Sequence, residues 1–200
     1  MIQREFQTPG GAKVQSGKPL ANRPLRRGGV RAAAILAIAL ATSGPLWAAD
    51  PVFSPKATEN CAAAAAAASP ALSDHAVLDC VGRAAQACMM TPGGDTTYGM
   101  MECLDGERRY WDDRLNTAYA ARVATAQQQD KELRDLGSAA ATIEQSLRDM
   151  QRAWIAFRDK ACLYEQSLWM GGTGGGPATM ACHMHETARQ ALKLEGWWGE

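Results

Sequence analysis

Three stretches of this 200-residue chain carry residue types that could do chemistry, and a fourth feature is spread along its length. Asp112 and Asp113 are paired acids, the type that does general acid–base work. Neighbouring positions on a helix point about 100° apart, so these two carboxylates cannot easily share a substrate. No Ser or Cys nucleophile with a matching His is evident either. Cys182-His183-Met184-His185 has the residue types of a metal site, yet its histidines are two apart and fall on different helix faces. Zinc ligands on one helix stand three or four apart. Gly171-Gly172-Thr173-Gly174-Gly175-Gly176-Pro177 is as glycine-rich as a phosphate cradle, but no strand precedes it and no Lys-Ser or Lys-Thr follows. The expectation is a protein that acts by binding, with no catalytic residues, no metal and no cofactor.

The fourth feature is sulfur. Cys61, Cys80, Cys88, Cys103, Cys162 and Cys182 all lie beyond residue 50. An even count in an exported chain reads as a disulfide framework, whereas the same count in a cytosolic chain points to metal or redox chemistry. Export decides between them. Residues 1–31 are polar and basic, ending in Arg26-Arg27-Gly28-Gly29-Val30-Arg31. Ala32 to Ala41 is an unbroken apolar run, Thr42-Ser43-Gly44-Pro45 breaks it, and Leu46-Trp47-Ala48-Ala49 ends in small residues. Residues 1–49 therefore read as a signal peptide with a long basic n-region, cleaved after Ala48 or Ala49. The apolar run is short for a bilayer span, so no stable membrane span is expected after cleavage and the mature chain should be periplasmic or secreted.

Removing the leader changes the charge. The whole chain is neutral, but the first 49 residues hold seven Lys or Arg and one Glu. Residues 50–200 hold fourteen Lys or Arg against twenty Asp or Glu, a net charge of −6. An acidic domain is a poor partner for nucleic acid and a natural one for a cationic protein, because opposite charge speeds encounter.

Helices must position these groups. Ala, Leu, Met, Gln and Arg dominate after residue 56 and strand-like alternation is missing, which predicts an all-α fold: a small antiparallel bundle of four or five helices stapled by disulfides. Residues 50–60, with Pro51 and Pro55, read as a linker, and 61–196 as the helical domain. A short Ala-rich helix opens at Cys61 and ends at Ser69-Pro70. Ser73 is placed to cap a second, running through Cys80 and Cys88 to Met90, and Thr91–Asp95 is a turn. A long helix over 97–128 carries Met100, Leu104, Trp111, Leu115, Ala118 or Tyr119, and Val123 on one stripe, with Gly106 marking a close crossing by another helix. Gln127–Glu132 is polar enough to be its end. A second long helix over 132–169, with a break near Gly137-Ser138 as an alternative, carries Ile143, Leu147, Met150, Trp154, Phe157, Ala161, Tyr164 and Leu168 at alternating spacings of four and three, the seam of a helix that faces other helices. The last helix ends near Gly196, with Trp197 and Trp198 either half-exposed lids on the bundle end or part of a frayed terminus.

Cys103-Leu-Asp-Gly-Glu107, Trp111-Asp112-Asp113-Arg-Leu115-Asn116-Thr-Ala-Tyr119, Leu147, Gln151-Arg-Ala-Trp154-Ile-Ala-Phe157-Arg158-Asp159, Cys162, the Gly-rich loop, Cys182 and Thr187 together resemble the LprI-like lysozyme-inhibitor domain family. The resemblance covers roughly Cys80 to Leu194. It implies a small secreted or periplasmic helical domain with disulfides, and an activity of binding and inhibiting lysozyme. The sequence departs from the family pattern at Gln190, where an arginine is usual, and in the added Cys61 and the 91–97 insert.

The expected function is inhibition of a lysozyme-type muramidase, or binding of another cationic protein; the alternative is an envelope-stress or scaffold module that binds another envelope protein. Six cysteines allow fifteen connectivities. The flexible Gly-rich connection favours Cys162–Cys182, the turn at Pro92-Gly93-Gly94 favours Cys88–Cys103, and Cys61–Cys80 remains. Asp112 or Asp113 is expected to pair with Arg158 across the helix interface, with Trp111, Leu115, Tyr119, Gln151 and Trp154 in the surrounding core. Gly171, Gly172, Thr173, Gly174, Gly175 and Gly176 form the expected partner-binding loop.

Overall fold

Helix-forming composition after residue 56 becomes helix almost throughout. The computed structural model describes residues 50–68, 73–140 and 142–196, and these form α1 (Lys56–Ala68), α2 (Ser73–Leu78), α3 (Arg83–Met89), α4 (Thr97–Asp135), α5 (Ile143–Ser167) and α6 (Gly175–Glu195). No strand occurs among the described residues. The leader and its cleavage point, the Ser69-Pro70 break, the side-chain cap at Ser73 and the Trp197-Trp198 lids lie outside the described residues and side chains.

α4 is the spine. Its 39 residues span about 58 Å, and α5 and α6 pack along it. α5 runs antiparallel to α6, as shown by the contacts of Gln151 with Gln190 and of Cys162 with Cys182. The core lies mainly between α4 and α6: Leu104, Trp111, Leu115 and Ala118 meet Met184, Ala188, Ala191, Leu192 and Leu194. Ala188 and Ala191 are fully buried, and their small size lets the two helices approach closely. Val77, Val81 and Ala85 close one end of this core.

Several elements depart from expectation. α1 starts at Lys56, inside the expected linker. The single helix expected over 73–90 is two, because residues 78–83 form tight turns (Val81 N–H to Leu78, Arg83 N–H to Cys80) that end with Gly82 at φ 93°. α4 does not stop at the polar Gln127–Glu132 stretch. It continues to Asp135 and ends at Gly137, φ 78°, where Gly137 N–H donates to Arg134 and Ser138 N–H to Leu133. That is the paired bonding of a Schellman cap, for which glycine is the residue of least strain. The turn therefore lies at the alternative break near Gly137-Ser138 and not at the polar stretch. Gly106 admits the ring of Phe53, whose atoms lie 2.6 Å from where a Cβ would stand, so the close approach there is by the segment before α1 and not by a helix.

Three disulfides join the helices: Cys61–Cys80 links α1 to the α2–α3 turn, Cys88–Cys103 links α3 to α4, and Cys162–Cys182 links α5 to α6. Among the described residues no helix is long and apolar enough to cross a membrane.

Candidate partner-binding face

The paired acids Asp112 and Asp113 do not meet Arg158 as expected. Arg158 donates to its own neighbour Asp159 at 2.7 Å and lies over the Trp154 ring, 5.0 Å from its centroid. Asp112 accepts from Asn116, and Asp113 lines an open groove with Arg114 and Arg122. Register is the reason. Arg158 sits where its charge reaches His183 on α6, a site also felt by Arg108 on α4, one helical turn before Asp112. The ion pair that does cross the interface is Arg114–Glu195, bidentate at 3.0 and 2.6 Å, with Arg114 stacked 4.6 Å over Trp111. Arg122 beside it donates to the Leu194 carbonyl at 2.6 Å, satisfying one of the free carbonyls at the end of α6.

Trp111 and Leu115 are buried, Tyr119 and Trp154 half-buried, as core. Gln151 is buried on Gln190, whose amide donates to it at 2.9 Å; this pair occupies the position where an arginine was expected on α6. Thr187 is fully buried and its hydroxyl has no partner among the described residues.

Two carboxylates that sequence reasoning passed over are structural hubs. Glu107 is fully buried and accepts from Thr58 Oγ1 (2.8 Å), Gly82 N–H (2.8 Å), Ala85 N–H (2.7 Å) and Trp111 Nε1 (3.3 Å). With Thr58 Oγ1 accepting from Ala84 N–H at 3.0 Å, it satisfies the free amides that open α3. Asp130, on α4, accepts from Ile143 N–H at 2.7 Å and Glu144 N–H at 3.0 Å and so caps α5 from a neighbouring helix. Burial, with Arg158 and Arg108 adding to it, holds the His183 imidazole below its ordinary pKa; burial and Arg189 do the same to His185, opposed by Glu107 and Glu186. Among the described residues no group of three His, Cys, Asp or Glu could hold a metal.

Leftover surface is concentrated at the α5–α6 corner. The seam of α5 is buried only in its first half. Leu147, Met150 and Trp154 pack on the core, but Phe157, Tyr164 and Leu168 are 62%, 63% and 55% exposed. Phe157 therefore does not pack on α4 as its spacing suggested. Leu163, Trp169 and Met170 extend the apolar surface around the corner. The Gly-rich stretch is a shorter loop than expected. Gly175, Gly176 and Pro177 are already the first turn of α6, where proline lacks only an amide that would be free anyway. Gly174 lies against the Trp169 ring, 2.0 Å from the place a Cβ would take, and Gly176 against the Met101 sulfur at 2.7 Å. These two glycines make room for side chains rather than supply flexibility.

A family model described as lysozyme inhibitor LprI matches residues 88–194. An uncharacterized protein of Rhizobium meliloti is 38% identical over 132 residues, covering 64% of this chain and 93% of that protein. An uncharacterized 17.7 kDa protein in the puhA 5′ region of Rhodobacter capsulatus is 29% identical over 119 residues, covering 59% and 74%. No solved structure matches. With the matched span running from the Cys88–Cys103 staple to the end of the core on α6, the chain belongs to the LprI lysozyme-inhibitor family.

Proposed function

We propose that this protein is exported, folds outside the cytoplasm, and inhibits a cationic lysozyme-type muramidase by binding it, with no catalysis of its own. The observation that carries the reading is the family match over the disulfide-bonded core, residues 88–194. Three disulfides suit an oxidising compartment. The net charge of −6 over residues 50–200 would steer a basic enzyme toward it. The docking face is the α5–α6 corner, where exposed Phe157, Tyr164, Leu168, Trp169 and Met170 adjoin Gly171–Gly174. Together these side chains offer on the order of several hundred Å² of apolar surface, the size at which a patch on a soluble protein marks an interaction site.

The test is a turbidity assay of cell-wall lysis by purified cationic lysozyme, titrated with the purified protein at low and at physiological salt. Inhibition should appear and be stronger at low salt, where steering is least screened. No inhibition at low salt would reject the reading.

A further inference from the structure

Met170 is the one non-glycine residue with positive φ among the described residues, at 48°. Gly171 follows at φ 84°, and Gly172 N–H donates to the Trp169 carbonyl at 2.7 Å. Residues 169–172 thus form a tight turn with both central residues left-handed, a geometry dominated by Gly, Asn and Asp. A long apolar side chain is a poor choice there, because its Cβ crowds the backbone. Packing within the chain does not offset that strain, since Met170 is 94% exposed. Glycine would fold better at this position, so the methionine answers to something other than folding.

Its setting shows what that is. The turn is held rigid from three sides. Trp169 is seated on Gly174, Gly175 N–H donates to the Gly172 carbonyl at 3.0 Å, and the Cys162–Cys182 bond ties α5 to α6 below the corner. Exposed Leu168, Trp169, Tyr164 and Leu163 surround the apex. A rigid convex tip with one flexible, polarisable apolar side chain is suited to plugging an adaptable apolar hollow, and its preorganisation removes much of the ordering cost of binding.

We propose that Met170 is the binding anchor of this protein, inserted into an apolar pocket in the substrate cleft of the muramidase, with Trp169 and Leu168 closing over the rim. This rests on the inhibitor reading above. Charge selects that occupant over a second copy of this chain: two copies each carry −6 over residues 50–200 and repel, whereas a cationic enzyme is attracted.

The experiment compares the purified protein with Met170→Gly and Met170→Asn, two residues that accept the left-handed turn but present no apolar plug. Three readouts are taken: thermal melting, affinity for cationic lysozyme by calorimetry, and sedimentation of the protein alone. Both variants should melt at the wild-type temperature or up to about 4 °C above it, while affinity falls about tenfold or more, as for a hot-spot residue. Affinity within twofold of wild type would overturn the proposal. So would a melting temperature lowered by more than about 4 °C, which would make Met170 a structural residue. A wild-type dimer lost in the variants would assign the corner to self-association and overturn it as well. If wild-type protein itself fails to bind lysozyme, the inhibitor reading falls and takes this proposal with it; binding by wild type that the variants retain defeats the proposal alone.

Discussion

Replacing Glu107 by Gln should be among the most damaging single-atom changes available in this domain. The side chain keeps its shape, and its amide oxygen can remain where Oε1 accepts from Thr58, Gly82 and Trp111. The new NH₂ group then faces Ala85 N–H, which donates at 2.7 Å to Oε2 in the native protein. Two buried donors are left without an acceptor, and each such loss costs about 1–3 kcal/mol. Removing the negative charge beside the opening amides of α3 adds roughly 0.3–1 kcal/mol. The expected total is about 2–7 kcal/mol, a large share of the ~5–15 kcal/mol typical of a domain. Urea unfolding with the disulfides intact would measure it as a drop in midpoint at unchanged slope. Thr58→Val, which removes a donor to Glu107 and an acceptor for Ala84 N–H, should cost about 1–3 kcal/mol. The double variant should show a coupling of at least about 0.5 kcal/mol, since the two groups share one network. A loss below about 1 kcal/mol for Glu107→Gln would refute the reasoning, because a buried network that tolerates an unpaired donor is not buried.

Other perturbations test the remaining joints. Asp130→Ala should destabilise by about 1–2 kcal/mol as a lost helix cap, with faster hydrogen exchange at the Ile143 and Glu144 amides it accepts from. Gly137→Ala, at φ 78°, should cost about 1 kcal/mol in urea unfolding. Removing the Cys162–Cys182 bond by double substitution to Ser should cost about 3 kcal/mol for a loop of this length in the chain-entropy model, and should weaken lysozyme binding further by loosening the corner. His183 and His185 have depressed pKa values in the folded protein, chiefly through burial. The unfolded chain therefore takes up protons first as pH falls. The stability they contribute is complete above the ordinary histidine value near 6.5 and declines as pH drops from there through the folded values. A His183→Gln, His185→Gln variant should flatten that decline in thermal melts run between about pH 7.5 and 5.

Legibility tracked how local each signal was. The all-α class followed from composition, and the three disulfides join cysteines separated by a turn, a break or the Gly-rich corner, where short chain length leaves few geometries. Longer-range features were hidden. The eight-residue seam of α5 repeats every 3.5 residues, while an α-helix turns every 3.6, so the stripe drifts by about 20° per heptad. By Phe157 it has rotated off the core, and Arg158 and Cys162 face inward instead. Arg158 meets Asp159 and not the expected Asp112 or Asp113, because register between α5 and α4 depends on α6 lying against both. Glu107 stood in the family-like motif with no role assigned to it; its partners Thr58, Gly82 and Ala85 come from 49, 25 and 22 residues away, beyond any helical spacing.

The same drift explains how one helix can both anchor in the core and keep an apolar outer face. A stripe that stayed on the core would leave α5 without an apolar outer face, and a stripe turned wholly outward would leave α5 unanchored. Here Leu147, Met150 and Trp154 secure the first half, and the Cys162–Cys182 bond secures the second half covalently. Cys162 is fully buried, so the staple occupies the inward position that an apolar side chain would otherwise need to fill. With that position held by sulfur, Phe157, Tyr164 and Leu168 are free to face solvent, and the turn at Met170 continues their surface around the corner. The bond is then more than a stabiliser: it is the condition under which apolar residues on α5 can be released from the core and left exposed.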